Sequence, residues 1–171
     1  MPAFDVVELG PPDAPEPGEE APTFTRPLVT DEFWEDRSLE SVIADGDGRA
    51  VLAFTPMIGS FVAEYVWTTL RDREWDEIDV PVYGVSVATP YAISGFLDEH
   101  DVPFGVFADP ANDVAVEYGI AHDLDGMTGV SEPRLAFFAL EDDAVADAWV
   151  ATEWPEFPDY DDLEDRFGLD G

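Results

Sequence analysis

Apolar residues in this chain come in short unbroken runs, separated by stretches of helical period. Residues 50–55 (AVLAFT), 80–87 (VPVYGVSV) and 104–107 (FGVF) are continuous apolar segments. Runs of this length predict strands buried on both faces, and Pro81 is tolerated near a strand start. Between them the period changes. In 60–75, Phe61, Tyr65 and Thr68 fall on one side of a predicted helix, with Val62, Val66 and Leu70 beside them. Residues 91–100 predict a second helix, with Thr89 as N-cap and Pro90 at its first position. Asp109 is placed to cap a third over 110–118, closed by Gly119. Upstream, 33–44 reads as helical in its second half with Ser38 as N-cap, and GDG at 46–48 is a turn. Downstream, a loop with Gly126 and Gly129 leads to a hairpin. Its strands are 135–140 and 145–152, joined by the acidic turn Glu141-Asp142-Asp143. Residues 159–167 form a short acidic helix.

The order strand, helix, strand, helix, strand, helix, hairpin, helix implies an α/β fold, a central sheet covered on both faces. A length of 171 residues suits one domain over 1–171. No internal repeat or linker divides it. Residues 1–22 are rich in Pro, Gly and Glu after a short apolar run at 4–9. They read as an N-terminal arm, with 4–9 an edge strand or part of that arm. No apolar run approaches the length of a membrane span, so no membrane partner is expected. The start MPAFDVVELG has no basic region and no apolar core of a signal peptide, which makes the cytoplasm the expected location.

Charge changes the picture. Forty Asp and Glu stand against seven basic residues, for a net charge of −33. All seven are Arg; the chain contains no Lys. In dilute buffer such a surface repels itself, whereas near molar salt the Debye length falls to about 3 Å and the repulsion is screened. The acids are spread along the whole chain, which predicts a halophilic protein adapted to high internal salt. The competing reading is an acidic surface that mimics nucleic acid or binds a basic partner. Neither allows binding to nucleic-acid phosphates, because no basic patch exists to release counterions.

The candidate chemistry lies in FTPMIGSFVAEY, residues 54–65. A loop at the C-terminal end of a buried strand, running into a helix N-terminus, is where α/β folds place ligands. Its backbone N–H groups and the helix dipole favour negative charge. The pocket from Pro56 to Ala63 is therefore expected to suit an anion, or else to be an ordinary strand-to-helix turn with Ser60 as its cap.

This loop resembles the active-site loop of the peroxiredoxins, whose pattern is Pro, three residues, Thr or Ser, two residues, then the reactive Cys. Pro56 and Ser60 fall on it, and Ala63 occupies the position of the Cys. Four segments match in order. Gly18 to Phe24 (GEEAPTF) is similar to the family's opening, VLAFTP at 51–56 to its first central strand, and 82–120 to its middle section. Pro133-Arg134-Leu135-Ala136-Phe137-Phe138 resembles the strand that delivers the active-site Arg. The likeness covers about residues 18–165 and points to the alkyl hydroperoxide reductase and thiol-specific antioxidant (redoxin) family. It implies a thioredoxin-like fold with a central mixed sheet and helices on both faces.

The resemblance also implies roles: Pro shields the thiolate, the hydroxyl bonds the peroxide, and the Arg stabilises thiolate and transition state. The vestigial site is then Pro56, Ser60, Ala63 and Arg134, with no intact catalytic residue, no cofactor and no metal. Arg suits the task because its forked donors meet an anion bidentately; the plainer role for Arg134 is a surface salt bridge with one of the many acids nearby in sequence, Glu132 and Glu141 among them. Three departures deny the family reaction. Ala63 removes the nucleophile, Val66 stands where many members carry an acid, and there is no second Cys to resolve an oxidised first one. Ser60 cannot substitute, because a hydroxyl has neither the low pKa nor the soft nucleophilicity. Oxidation of Met57 is slow damage chemistry. The implied function is a non-catalytic binding or interaction module, assembling as a homodimer or with a cysteine-bearing peroxiredoxin relative. The alternative is an active oxidoreductase that uses a partner's thiol or other chemistry. A buried Arg134 would call for a bound anion such as chloride or a nearby carboxylate, with Glu64 first in line.

Other residues offer less. His100 reads as a helix C-terminal residue interacting with the dipole. His122, Asp123 and Asp125 could hold a hard cation through oxygen ligands, although the calcium-loop signature is not met. Trp149, Trp154, Phe157 and Tyr160 form either a partner surface or the packing of the terminal segment over the sheet.

Overall fold

The computed structural model describes residues 7–122 and 130–169. In chain order its elements are β1 (Val7–Glu8), β2 (Thr25–Val29), β3 (Trp34–Ser38), α1 (Leu39–Asp45), β4 (Arg49–Phe54), α2 (Phe61–Asp72), a 3-10 turn (Trp75–Glu77), β5 (Val82–Ser86), α3 (Pro90–Glu99), β6 (Gly105–Ala108), α4 (Asp113–Glu117), β7 (Ala121–His122), β8 (Glu132–Pro133), β9 (Ala136–Glu141), β10 (Ala144–Val150), β11 (Glu153–Trp154) and α5 (Tyr160–Phe167).

Seven strands form the central sheet in the order β10-β9-β4-β5-β6-β2-β3. The parallel centre is β4-β5-β6; β9 joins β4, and β2 joins β6, antiparallel. The sheet is thus mixed, as expected. Alternation along the strands divides the core in two. Val51, Ala53, Phe137 and Ala139 face one side with α2, α3 and α5. Ala50, Leu52, Phe54, Phe138 and Leu140 face the other with α1 and α4. Both faces of β4 are closed, which is why its sequence is apolar without alternation.

The caps follow the predicted chemistry. The hydroxyls of Ser38, Ser60 and Thr89 and the carboxylate of Asp159 each accept the N–H three residues on, which opens α1, α2, α3 and α5. On α2 the buried face is Val62, Ala63, Val66, Trp67 and Leu70, while Phe61 and Tyr65 stay exposed. Trp67 reaches the sheet only because position 84 is Gly: a Cβ there would lie 2.4 Å from the indole ring.

The chain between the arm and α1 forms the antiparallel pair β2–β3, which no periodicity in the sequence announced. Its charged members Glu35, Asp36 and Arg37 lie on the sheet edge, and Pro27 sits in β2. The helix expected over 110–118 shortens to Asp113–Glu117, because Asn112 adopts a left-handed φ of 61°. Asp109 still reaches into it, its Oδ2 accepting the N–H of Val114 at 2.8 Å. Within the described part of the apolar run at 4–9, Val7–Glu8 form β1, which pairs with β11 outside the central sheet. Phe4, Gly126 and Gly129 lie outside the described residues.

At the other edge, β10 carries an irregularity between Val145 and Asp147. The start of this strand is covered by Gly18 and Glu19, whose backbone bonds Val145 in both directions. Arg166 from α5 donates to Asp147 and to the carbonyl of Ala148. The four C-terminal aromatics pack inward: Tyr160 lies 6.5 Å from Trp75 and 6.4 Å from Phe137, and Phe157 lies 4.7 Å from Tyr65. Trp149 and Trp154 are likewise partly buried against the core. Among the described residues no helix is long and apolar enough to cross a membrane.

Candidate functional site

The described buried polar and charged side chains are Thr55, Ser86, Asp109, Asn112, Glu132 and Arg134. Thr55, Ser86 and Asp109 follow or end β4, β5 and β6, so they collect at the carboxyl edge of the parallel strands, where this architecture binds ligands. The loop from β4 into α2 is held there from several directions. Ser86 Oγ donates to the Pro56 carbonyl across 3.4 Å. The Met57 N–H donates to Glu132 Oε1 at 2.8 Å. The Ser60 N–H returns to the Met57 carbonyl at 3.0 Å, a turn that needs the φ of +94° at Gly59.

The predicted residues divide into two groups. Ser60 and Ala63 are joined directly: Ser60 Oγ accepts the Ala63 N–H at 3.2 Å. Ser60 therefore acts as the cap of α2, the plainer of its two expected roles. Ala63 is fully buried against the core, and Pro56 is also buried. Arg134 is buried as well, but its bonds run elsewhere. One terminal nitrogen donates to the Gly10 carbonyl at 2.7 Å and to the Ala151 carbonyl at 3.3 Å, the other to the Leu9 carbonyl at 2.7 Å. Its Nε has no partner among the described residues. Burial pushes the pKa of the guanidinium down from its ordinary value.

Arg134 forms no ion pair among the described residues. Glu64, the carboxylate expected nearest to it, instead lies 3.9 Å from His100 Nδ1. Glu132, two positions before Arg134, is the buried carboxylate that reaches the loop; the sequence offered it only as one of the acids near Arg134. No local pattern marks it, since its contact spans 75 residues. Asp109 was expected only as a helix cap, and Asn112 and Ser131 carried no local signal; Asn112 Nδ2 donates to Ser131 Oγ at 2.8 Å, and Arg26 Nε donates to Asp109 at 3.1 Å.

His100 caps the C-terminus of α3, as expected, its ring 4.7 Å from that of Phe96. His122 lies in β7 opposite Glu132. Asp123 and Asp125, its suggested co-ligands, lie outside the described residues. Tyr118 is buried on the opposite face, its hydroxyl donating to the Pro22 carbonyl at 2.8 Å; burial raises its pKa.

Chemically, this edge offers buried donors and one buried cation, with a methyl group at the first turn of α2. Its architecture is also that of known proteins. The chain superposes on crystal structures of the peroxidoxin BcpB from Mycobacterium tuberculosis (TM-score 0.71, 19% identity, 91% of this chain and 96% of that one), the reduced 2-Cys peroxiredoxin of Plasmodium vivax (0.74, 18%, 89% and 94%) and AhpC from Enterococcus faecalis (0.74, 17%, 90% and 91%). At these identities the likeness establishes the fold, which is thioredoxin-like and of peroxiredoxin type. No curated protein sequence matches. The family model described as AhpC/TSA matches residues 17–145, a span that runs from the approach to β2 into β10 and takes in Pro56, Ser60, Ala63 and Arg134. With most of its length under that match, the chain belongs to the AhpC/TSA family.

Proposed function

We propose that this chain is a peroxiredoxin-like domain that does not perform thiol peroxidation and serves as a binding or interaction module at high internal salt. The observation that carries the reading is Ala63, buried at the position of the family's reactive cysteine in a chain with no cysteine. Thiol peroxidation begins with a thiolate attacking the peroxide, and a methyl group has no lone pair to offer. In this reading residues 1–171 are a single redoxin domain with 1–22 as its arm. The loop from Pro56 to Ala63, with Arg134, is an inherited pocket that takes an anion such as chloride.

The partner is a second copy of the chain or a cysteine-bearing relative in the cytoplasm. Nucleic acid is excluded as a partner by charge: net −33, with five of the seven Arg, namely 26, 37, 71, 73 and 166, paired with carboxylates. The deciding experiment is peroxide consumption with a thiol reductant near ~1 M KCl, where screening is nearly complete. The expected rate is that of the buffer control. Turnover well above it sinks the reading and favours an oxidoreductase working with a thiol from elsewhere.

A further inference from the structure

Arg134 is set apart from most of the arginines in this acidic chain. Arg26, Arg37, Arg71, Arg73 and Arg166 all meet carboxylates, whereas the hydrogen bonds of Arg134 end on backbone carbonyls. Two of those carbonyls are consecutive, Leu9 and Gly10, each 2.7 Å from a different terminal nitrogen. That is the fork a guanidinium offers to the two oxygens of a carboxylate, sulfate or phosphate. The N-terminal segment thus occupies the donors an oxyanion would use.

We propose that residues 7–10 are a strap latched by Arg134, which closes this guanidinium to outside ligands and opens when an oxyanion takes the two carbonyls' place. Among the described residues the strap's other holds are few: Val7–Glu8 pair with Glu153–Trp154, the Leu9 N–H donates to the Thr152 carbonyl at 2.8 Å, and the Leu9 side chain is buried. A two-residue ladder is marginal by itself, so a latch of charge-assisted bonds decides whether the segment stays down. Among the described residues the neutral carbonyls leave the buried cation's charge without an ion pair, and an oxyanion would balance it. The second half of the proposal rests on the anion-binding reading of the inherited pocket; the latch does not.

The test is hydrogen exchange at the Leu9 amide in the full chain near ~1 M KCl, where screening is nearly complete. Arg134→Met should speed exchange there by about tenfold or more, the factor that loss of one charge-assisted hydrogen bond supplies. Exchange at the wild-type rate in the folded variant overturns the strap. Should Arg134→Met fail to fold, Arg134→Lys decides in its place. It keeps the charge but cannot bridge both carbonyls, so faster exchange is expected and an unchanged rate is fatal. Sulfate exchanged for chloride at constant ionic strength should speed Leu9 exchange in the wild type and leave Arg134→Met unmoved. A latch confirmed by the variants but indifferent to sulfate overturns oxyanion release, while the latch stands and the chloride reading of the pocket is left to its own test.

Discussion

Glu132 Oε1 accepts the backbone N–H of Met57 at 2.8 Å, tying the strand that leads to Arg134 to the loop that leads to Ala63. Glu132 is 1% exposed, so this carboxylate was taken out of water to hold the loop. Its removal leaves a buried donor without its acceptor. Glu132→Ala should cost about 1–3 kcal/mol, read by denaturant unfolding at high salt. Glu132→Gln retains a carbonyl acceptor and should cost less. Equal losses would mean the charge, not the bond to Met57, is what matters.

Ala63→Cys tests whether the loop still supports the family chemistry. The substituted thiol would sit in the first turn of α2, where the dipole lowers a thiol pKa. It should consume peroxide faster than free cysteine. A thiol no more reactive than free cysteine would show that Pro56, Ser60 and Arg134 no longer make a site.

Stability should rise steeply with salt. A chain of net charge −33 is expanded or unfolded by self-repulsion in dilute buffer and compacts as screening sets in. The melting temperature should climb between dilute buffer and ~1 M KCl. Indifference to salt across that range would defeat the halophile reading.

Arg73 joins the end of α2 to α5. It bonds both carboxylate oxygens of Glu164 at 3.0 Å, pairs with Asp161 and lies over the ring of Tyr160; Trp75 Nε1 shares Glu164 at 3.2 Å. Because the site is partly exposed, Arg73→Ala should cost only about 1–2 kcal/mol, and α5 should loosen first. Exchange in α5 no faster than in the wild type would refute that link.

Tyr118 and Tyr160 have pKa values raised by burial. The folded state therefore keeps protons that the unfolded chain releases near pH ~10. Their contribution to stability is intact below that pH and is lost as pH rises toward the folded values. Alkaline unfolding should be accompanied by ionisation of these two phenols, followed by ultraviolet absorbance. Their ionisation ahead of unfolding would contradict the burial.

The sequence spoke clearly where burial or capping leaves a local mark. Strands β4, β5 and β6 were legible because both faces are covered, and α1, α2, α3 and α5 because their caps are side chains near their own amides. The β2–β3 pair was not, since Pro27 and the Glu35-Asp36-Arg37 run look like loop until the sheet gives them an edge to occupy. The loop around Ala63 was legible as a family pattern. Arg134 was legible as part of that pattern, but Glu132 and the backbone partners of Arg134 in the N-terminal segment were not, because these contacts span 75 and more residues. Backbone carbonyls, the acceptors Arg134 uses, carry no sequence signature at all.

The irregular edge strand β10 acquires a particular meaning in concentrated salt. Most soluble proteins keep their open strands from joining by placing charge on them. In a medium that screens charge to about 3 Å, that deterrent fades, and forty carboxylates guard an edge poorly. What still works is shape and occupancy. The shift between Val145 and Asp147 breaks the regular spacing a second strand would need, Gly18 and Glu19 fill one end, and Arg166 claims the Ala148 carbonyl. In the high-salt medium proposed for it, the chain would thus guard its edge by geometry, where repulsion between copies is switched off.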